Sequence, residues 1–272
     1  MYLPQKTHLT KHHGLGNDFL IAVDPSRDVS SIDAIAWCDR RTGVGADGLI
    51  VAEPLADNIW SMLLFNADGS RAEISGNGIR CLGQALAQHL DLDLANDNSH
   101  KLQIRTDGGM RTLELTDDQR AATIQVKVDM GPAKSGPGHS ERWDSVGVDI
   151  RQQAGVDIGN PHLIVEVAEP EAVEVAAVGP VIEADYEEGV NVHFVSVTGE
   201  DAIRVHTWER GAGLTQACGS GACAAAYQFN RWGRVGPNVE VSMPGGKVHV
   251  ELGGSIVLQG PATFIARVEL VR

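Results

Sequence analysis

The chain has 272 residues, of which 43% are hydrophobic, so it can form one large domain or two of ordinary size with an apolar core. Its net charge of −14 argues against binding to nucleic acid or to anionic membrane surfaces, because nucleic-acid-binding proteins carry a basic surface. Since the chain shows no apolar leader, no run of about 18 apolar residues and only 4 cysteines, we expect a cytoplasmic protein without a membrane span or a disulfide framework.

Short apolar runs in the first half predict β-strands at residues 19–23, 49–51 and 62–65. The stretch 43–48, GVGADG, matches the Gly-x-Gly-x-x-Gly pattern of dinucleotide sites, which requires a strand before it and a helix after it. Here a strand-like run follows, so a turn that leads into a strand is predicted instead. Residues 78–90, which are rich in Ala, Leu and Gln, predict a helix.

The second half repeats this order of elements. Strands are predicted at residues 163–165 and 203–208, and an Ala-rich helix is predicted at 221–232. Gly-Gly and Pro-Gly-Gly turns after each helix predict strand hairpins. A last strand is predicted at about 263–272, and the sequence leaves open whether it stays with the second half or returns to the first.

One constant shift relates the two halves. A shift of 143 positions (218 − 75) aligns Ser75 with Cys218, and a Gly-x-Gly sequence follows each of them. The same shift aligns further pairs: Gly16-Asn17 with Gly159-Asn160, Gly48 with Asn191, and Asn66 with Glu209. We therefore expect two homologous halves, residues 1–131 and 132–262, each formed by strands around one main helix.

The repeated motif predicts a particular chemistry. A helix that begins at Gly-x-Gly leaves its first backbone N–H groups without intrahelical acceptors, so its start favours anions. The same field is expected to make the thiol of Cys218 more acidic. If both helix starts face one cleft, two proton-handling groups lie on opposite sides of one ligand. This arrangement suits removal of a proton from a carbon next to a carboxylate and its replacement on the other face, and it requires no metal or coenzyme.

Four stretches of this sequence resemble motifs of the diaminopimelate epimerase family: residues 13–19, residues 66–70 with 75–81, residues 159–162, and residues 209–211 with 217–222. The resemblance covers nearly the whole chain. It implies an α/β (α+β) fold of two pseudo-symmetric domains, each a curled, mostly antiparallel sheet around a central helix, with the site in the cleft between them.

The resemblance also implies an activity and a set of site residues. The activity is epimerisation of LL-2,6-diaminopimelate to the meso form, without pyridoxal phosphate, for lysine and peptidoglycan synthesis. Its partner is a small amino-acid substrate, and a homodimer is the implied assembly. Cys218 is implied as a catalytic thiol, and Gly76, Asn77, Gly219 and Ser220 are implied to hold the reacting carboxylate and amine. The residues implied to line the site and hold the distal end of the substrate are Asn17, Asn66, Asn160, Asn191, Glu209 and Arg210.

Two positions depart from the family pattern. Gly48 stands where a Gln often lines the pocket, which places one distal contact in doubt. Ser75 stands where the family has its other catalytic cysteine, and a hydroxyl is far less acidic than a thiol. Three interpretations remain: a natural and working serine, a Cys→Ser substitution introduced to trap the protein or block a disulfide, and a chain that has lost full epimerisation.

Two other functions compete with diaminopimelate epimerisation. One is a dehydratase or isomerase of a hydroxyproline-type acid on the same scaffold, against which Glu209 and Arg210 argue, because a compact ring has no second charged end. The other is a catalytically impaired protein that only binds amino acids.

Overall fold

The computed structural model describes residues 6–96, 99–120 and 122–271. The chain divides into two compact units: unit 1 is Met1–Val128 with Gly260–Arg272, and unit 2 is Asp129–Gln259. Both units are of mixed α/β type and are dominated by sheet, so the predicted fold class is confirmed. Within the described ranges, no helix is long and apolar enough to cross a membrane.

Unit 1 is built from short strands around one long helix. In chain order its strands are β1 (Lys6–Gly14), β2 (Asn17–Val23), β3 (Gly48–Ala52), β4 (Pro54–Ala56), β5 (Ile59–Ser61), β6 (Leu63–Asn66), β7 (Arg71–Ala72), β8 (His100–Thr106), β9 (Gly109–Asp117) and β10 (Thr123–Gly131), the last of which continues into unit 2. Its helices are α1 (Ser31–Cys38) and α2 (Gly76–His89).

Unit 2 is also built from strands around one main helix, with more short helical segments than unit 1. Its strands are β11 (Lys134–Ser135), β12 (Ile150–Asp157), β13 (Pro161–Val167), β14 (Asn191–Gly199), β15 (Ala202–Glu209), β16 (Gly213–Thr215), β17 (Asn238–Met243), β18 (Gly246–Leu252) and the first residues of β19 (Ile256–Val271). Its helices are α3 (Trp143–Val146), a short 3-10 turn (Pro170–Ala172), α4 (Val175–Glu183) and α5 (Gly219–Arg231). The end of β19 pairs with β1 in unit 1, which answers the question that the sequence left open.

The two units repeat not only their elements but also their strand register. In unit 1, β2 and β3 run parallel with Phe19 opposite Gly48, and in unit 2, β13 and β14 run parallel with His162 opposite Asn191. Both partners shift by 143 (162 − 19 and 191 − 48). The antiparallel pairs that follow, β3–β6 and β14–β15, keep the same relation. The shift read from the sequence is therefore a shift in hydrogen-bonded register.

The main helix of each unit is buried on nearly all sides. In α2 every residue from Gly76 to Ala87 is buried, and in α5 burial is continuous from Gly219 to Ala226. A helix buried all round carries apolar or small side chains on every face, which explains the Ala, Gly and Leu content of both segments. Each helix begins two residues before the predicted start, at the first glycine of Gly-x-Gly.

Candidate active site

Ser75 and the start of α2 form the candidate site of unit 1. Ser75 is the N-cap residue of α2, with extended backbone angles, and its Oγ accepts a hydrogen bond from the N–H of Gly78 at 3.0 Å. Its side chain is half-buried, whereas Gly76 and Asn77 directly after it are buried. The hydroxyl therefore lies at the positive end of a helix dipole, where a bound carboxylate is stabilised.

Hydrogen-bonded amide side chains hold the first turn of α2 in place. Asn77 Nδ2 donates to Asn17 Oδ1 at 3.1 Å, and Asn17 Nδ2 donates in turn to Asp47 Oδ2 at 2.8 Å. Arg40 donates to the other oxygen of Asp47 at 2.8 Å. Two of the predicted site residues, Asn17 and Asn77, are thus in direct contact, and an anchored carboxylate fixes their orientation.

Arg80, which the sequence analysis did not select, lies directly behind this helix start. It is 0% exposed and donates to the carbonyl of Gly76 at 2.9 Å, to Asn77 Oδ1 at 2.8 Å and to the carbonyl of Pro261 at 3.3 Å. Gly14 leaves room for it, because a Cβ there would lie 3.1 Å from Arg80 Nη2. A permanent cation therefore adds to the positive field at the start of α2. The signal for it was that Arg80 is the single Asp, Glu, Lys or Arg residue within α2.

Gly48 and Asn66 lie opposite each other at the ends of β3 and β6. Asn66 Nδ2 donates to Ser70 Oγ at 2.9 Å, which closes the hairpin to β7. A Cβ at Gly48 would lie 2.7 Å from the carbonyl oxygen of Phe65 and 3.3 Å from the ring of Phe19. The backbone here therefore accepts a side chain at position 48 only if these neighbours move.

Cys218 occupies in unit 2 the place that Ser75 occupies in unit 1. It is the N-cap residue of α5, with extended backbone angles, and its Sγ accepts from the N–H of Gly221 at 3.3 Å. Its Sγ lies 3.6 Å from Ser220 Oγ, which is 3.5 Å from Asn160 Nδ2. Cys218, Ser220 and Asn160 are therefore brought together, and Gly219 lies in the same first turn.

The environment of Cys218 contradicts the expected acidity of its thiol. Burial raises the pKa of Cys218 well above its ordinary value, and the charge of Glu209 raises it further. The hydrogen bonds from Ser220 and from the N–H of Gly221 lower this pKa but have a smaller effect. Loss of hydration outweighs the field of the helix start, so this environment favours the protonated form of the Cys218 thiol.

The remaining predicted residues of unit 2 form a second group. Asn191 donates to the carbonyl of Pro161 at 2.8 Å and accepts from the N–H of Arg210 at 3.1 Å. Glu209 accepts from Thr215 Oγ1 at 2.5 Å. The negative charge of its carboxylate also raises the pKa of the Cys218 thiol, so Glu209 links this group to the start of α5.

Two buried histidines stand behind Asn160. His162 Nε2 lies 2.8 Å from Asn160 Oδ1, and His162 Nδ1 lies 2.8 Å from His193 Nε2. Burial lowers the pKa of His162 well below its ordinary value and lowers that of His193 to about 3. Both rings are therefore neutral at pH 7. Neither histidine was predicted as a site residue, although a histidine within an apolar strand segment is an indication of a buried polar contact.

These histidines predict that the free energy of unfolding falls in acid. The folded-state pKa of His193, about 3, lies below the ordinary value of 6.5, so the unfolded chain binds more protons between these values. Above pH 6.5 this group contributes its full amount to the free energy of unfolding. As the pH falls from 6.5 toward 3, the free energy of unfolding decreases by about 1.4 kcal/mol per pH unit because of this group. Urea unfolding between pH 7 and pH 5 measures this slope. We expect His193→Gln to reduce it and His249→Gln, an exposed control, to leave it unchanged. An equal slope in wild type and His193→Gln would contradict the assignment.

Comparison with known proteins places this chain in a family. The family model described as diaminopimelate epimerase matches residues 9–135 and 155–265. The diaminopimelate epimerase of Nostoc punctiforme is 36% identical over 93% of this chain and 95% of its own length. That of Stutzerimonas stutzeri is 37% identical over 94% of this chain and 96% of its own length.

Solved structures share the fold at lower sequence identity. A hydroxyproline epimerase from Agrobacterium vitis, with bound trans-4-hydroxy-L-proline, superposes with a TM-score of 0.76 at 15% identity and covers 100% of this chain and 94% of its own. A predicted epimerase from Pseudomonas aeruginosa gives a TM-score of 0.77 at 18% identity, covering 98% of this chain and 99% of its own. Since the family model and the relatives span both helix starts, the chain belongs to the diaminopimelate epimerase family of isomerases.

Proposed function

We propose that this protein inverts an α-carbon of 2,6-diaminopimelate, from the LL to the meso form, with Ser75 and Cys218 acting on opposite faces of that carbon. The observation that carries the proposal is the equivalence of the two side chains. Each is the N-cap residue of the main helix of its unit, and each accepts from the N–H of the residue three positions on. Relatives at 36–37% identity that bear the name of this enzyme support the choice of substrate.

The proposed reaction moves two protons and changes no other bond. One N-cap group takes the α-proton, and the other gives a proton to the opposite face of the carbanion. The free thiol has a pKa of about 8.5, far below that of an aliphatic hydroxyl, so Ser75 donates or relays a proton more readily than it removes one. Cys218, once it has lost its own proton, is then the group that removes the α-proton of the LL form and so becomes a thiol again. The proton released in its activation passes to water, and the Ser75 alkoxide takes one proton from water, so no net proton is gained or lost.

The raised pKa of Cys218 makes activation of the thiol a separate step. The carboxylate of Glu209, which acts on the Cys218 thiol, is the group positioned to accept its proton. A cationic substrate ammonium close to Sγ stabilises the thiolate that results.

The two helix starts supply the stabilisation that the carbanion needs. Hydrogen-bond donors aimed at the developing charge are each worth about 2.7–4 kcal/mol in such sites. Gly76, Asn77, Gly219 and Ser220 provide these donors from the first turns of α2 and α5. The buried guanidinium of Arg80 increases the field on the Ser75 side, where the acid is weaker.

The distal end of the substrate is assigned to Asn66, Asn191, Glu209 and Arg210. An Arg fork suits a carboxylate, and a carboxylate with amide oxygens suits an ammonium group. A site with paired polar groups strongly rejects substrates that lack the second charged end. The product is a precursor of lysine and peptidoglycan, a homodimer is the proposed assembly, and the cytoplasm is the proposed location.

Because Ser75 stands where the family has a cysteine, a protein that exchanges a proton on one face of the α-carbon without inversion is a second candidate. A protein that lost inversion binds diaminopimelate, and it exchanges a proton on one face or on none. A hydroxyproline-type dehydratase or isomerase acts instead on a compact ring without a second charged end. Incubation with each substrate separates these functions.

Incubation with LL-diaminopimelate in deuterated water tests the proposed function. We expect the meso product to carry deuterium at the inverted α-carbon, detected by mass spectrometry and chiral chromatography. Cys218→Ala is expected to lower the rate about 10²- to 10⁴-fold, since acid and base groups contribute this much. Cys223→Ala, which removes a buried thiol from the same helix, is the matched control and should retain activity. Absence of label with the wild-type protein, or equal rates for the two variants, would contradict the proposal.

Ser75→Cys tests whether serine limits the rate. Because a thiol is much the stronger acid, we expect the substitution to raise kcat at least about tenfold. Ser145→Cys, on the surface of α3, controls for the presence of an added thiol. An unchanged or lower kcat would mean that serine is the adapted group and that the chemistry on that face differs from the one proposed here.

A further inference from the structure

A file, that is, a row of hydrogen-bonded polar side chains, crosses three neighbouring strands of unit 2 and ends at the candidate site. Thr207 Oγ1 on β15 lies 2.9 Å from His193 Nδ1 on β14. His193 Nε2 lies 2.8 Å from His162 Nδ1 on β13, and His162 Nε2 lies 2.8 Å from Asn160 Oδ1. Thr207 is 2% exposed and both histidines are 0% exposed. The file is thus a continuous hydrogen-bonded path through the interior of the unit.

The equivalent positions in unit 1 are all apolar. The shift of 143 positions, which holds in the strand register, places Phe19, Ile50 and Leu64 where unit 2 has His162, His193 and Thr207. These three side chains are 4%, 0% and 3% exposed. The same sheet therefore forms without polar groups here, and burying such groups costs free energy unless each is hydrogen-bonded. The need to form the sheet therefore does not explain why unit 2 has buried polar side chains at these positions.

The hydrogen bonds of the file can be donated in only one direction, from Thr207 toward Asn160. A neutral histidine carries one N–H and one acceptor nitrogen. Asn160 Oδ1 can only accept, so His162 donates from Nε2 and accepts at Nδ1. His193 must then donate from Nε2, and its Nδ1 accepts the hydroxyl proton of Thr207. Each member fixes the tautomer of the next, and the last one fixes the amide of Asn160.

The fixed amide is turned toward the start of α5. With Oδ1 held by His162, Asn160 Nδ2 points to Ser220 Oγ at 3.5 Å, and Ser220 Oγ lies 3.6 Å from Cys218 Sγ. The His193 ring also fills the space beneath this turn, where a Cβ at Gly221 would collide with it. The file therefore controls both the orientation of Asn160 and the packing under the helix start.

We propose that His193 and Thr207 are positioning residues, which act through His162 to hold the amide of Asn160 toward Ser220 and the substrate. This inference rests on the proposed function for its kinetic readout, whereas its structural readout does not depend on activity. It extends the machinery of unit 2 by two residues that lie beyond contact with the substrate. Unit 1 orients its own equivalent residue, Asn17, by a different device, the carboxylate of Asp47.

Kinetics of His193→Ile and Thr207→Val form the first test. His193→Ile copies the residue that unit 1 already accommodates, and Thr207→Val removes only the hydroxyl. We expect each to raise KM about tenfold, because a hydrogen bond to a charged ligand group is worth roughly that factor. Thr106→Val, which removes a buried hydroxyl bonded to a backbone carbonyl of unit 1, should leave KM unchanged.

The same substitutions in an Asn160→Ala background separate positioning from general damage to the fold. If His193 and Thr207 act through Asn160, their effect on KM disappears when the amide is absent. An equal fold-increase in KM in both backgrounds, or an unchanged KM in both single variants, would overturn the inference.

Nitrogen-15 NMR of the histidine rings supplies a readout that is independent of the substrate. We expect His162 and His193 both to be neutral Nε2–H tautomers at pH 7, with His193→Ile releasing the Asn160 side-chain amide to faster solvent exchange. An Nδ1–H tautomer at either ring, or Asn160 exchange unaffected by His193→Ile, would overturn the inference even if the protein epimerises diaminopimelate. If the protein shows no activity on diaminopimelate but the tautomers are as expected, the proposed substrate is wrong and the positioning role stands.

Discussion

A buried helix start must find partners for its first backbone N–H groups, and this constraint organises the whole protein. The first N–H groups of an α-helix have no acceptor within the helix, and burial removes water as an alternative. Both main helices begin in the interior of their units, and each uses its N-cap side chain to satisfy one donor. The donors that remain at such a start are suited to a carboxylate. The polar groups at each helix start are thus a consequence of burying that start within its unit.

The two helix starts are equivalent in backbone and different in electrostatics. The start of α2 has a buried guanidinium, Arg80, behind it and a hydroxyl in front. The start of α5 has neutral histidines behind it and a thiol in front, whose proton is retained by burial and by the charge of Glu209. A duplicated fold can therefore hold two different N-cap side chains, a hydroxyl and a thiol, without a change in its strand register. In our account, the stronger positive field stands on the side of the weaker acid.

Local sequence predicted the features that depend on local geometry. The strand after GVGADG and both main helices were recovered, although each helix begins two residues before its predicted start. Turns and N-caps are predictable in this way because they are set by adjacent residues. Helix α4 was not predicted, since Gly179 and Pro180 within it have poor helix propensity and tertiary packing compensates for them. The unit to which the end of β19 belongs depended on its pairing with β1, 250 to 265 positions away in the chain.

The chemistry of the site was harder to predict than its location. The expected acidity of Cys218 was wrong, because the effect of burial on a thiol depends on neighbours that are distant in the sequence. Arg80 and His193 were missed for a related reason: each looks like a single polar residue in an apolar segment, and its partners become visible only in three dimensions. Asn17 and Asn77 were selected by family resemblance, and their contact with each other was not predicted from either motif.

The central claim is that Ser75 and Cys218 act on opposite faces of one carbon, and a serine-deletion variant tests it most directly. In deuterated water, Ser75→Ala should exchange the α-proton of the LL epimer through Cys218 and return deuterium to the same face, with no inversion. Chiral chromatography with mass spectrometry of the recovered substrate detects this outcome. Formation of the meso epimer by Ser75→Ala at the wild-type rate would contradict the account, because the second face would then be served by another group.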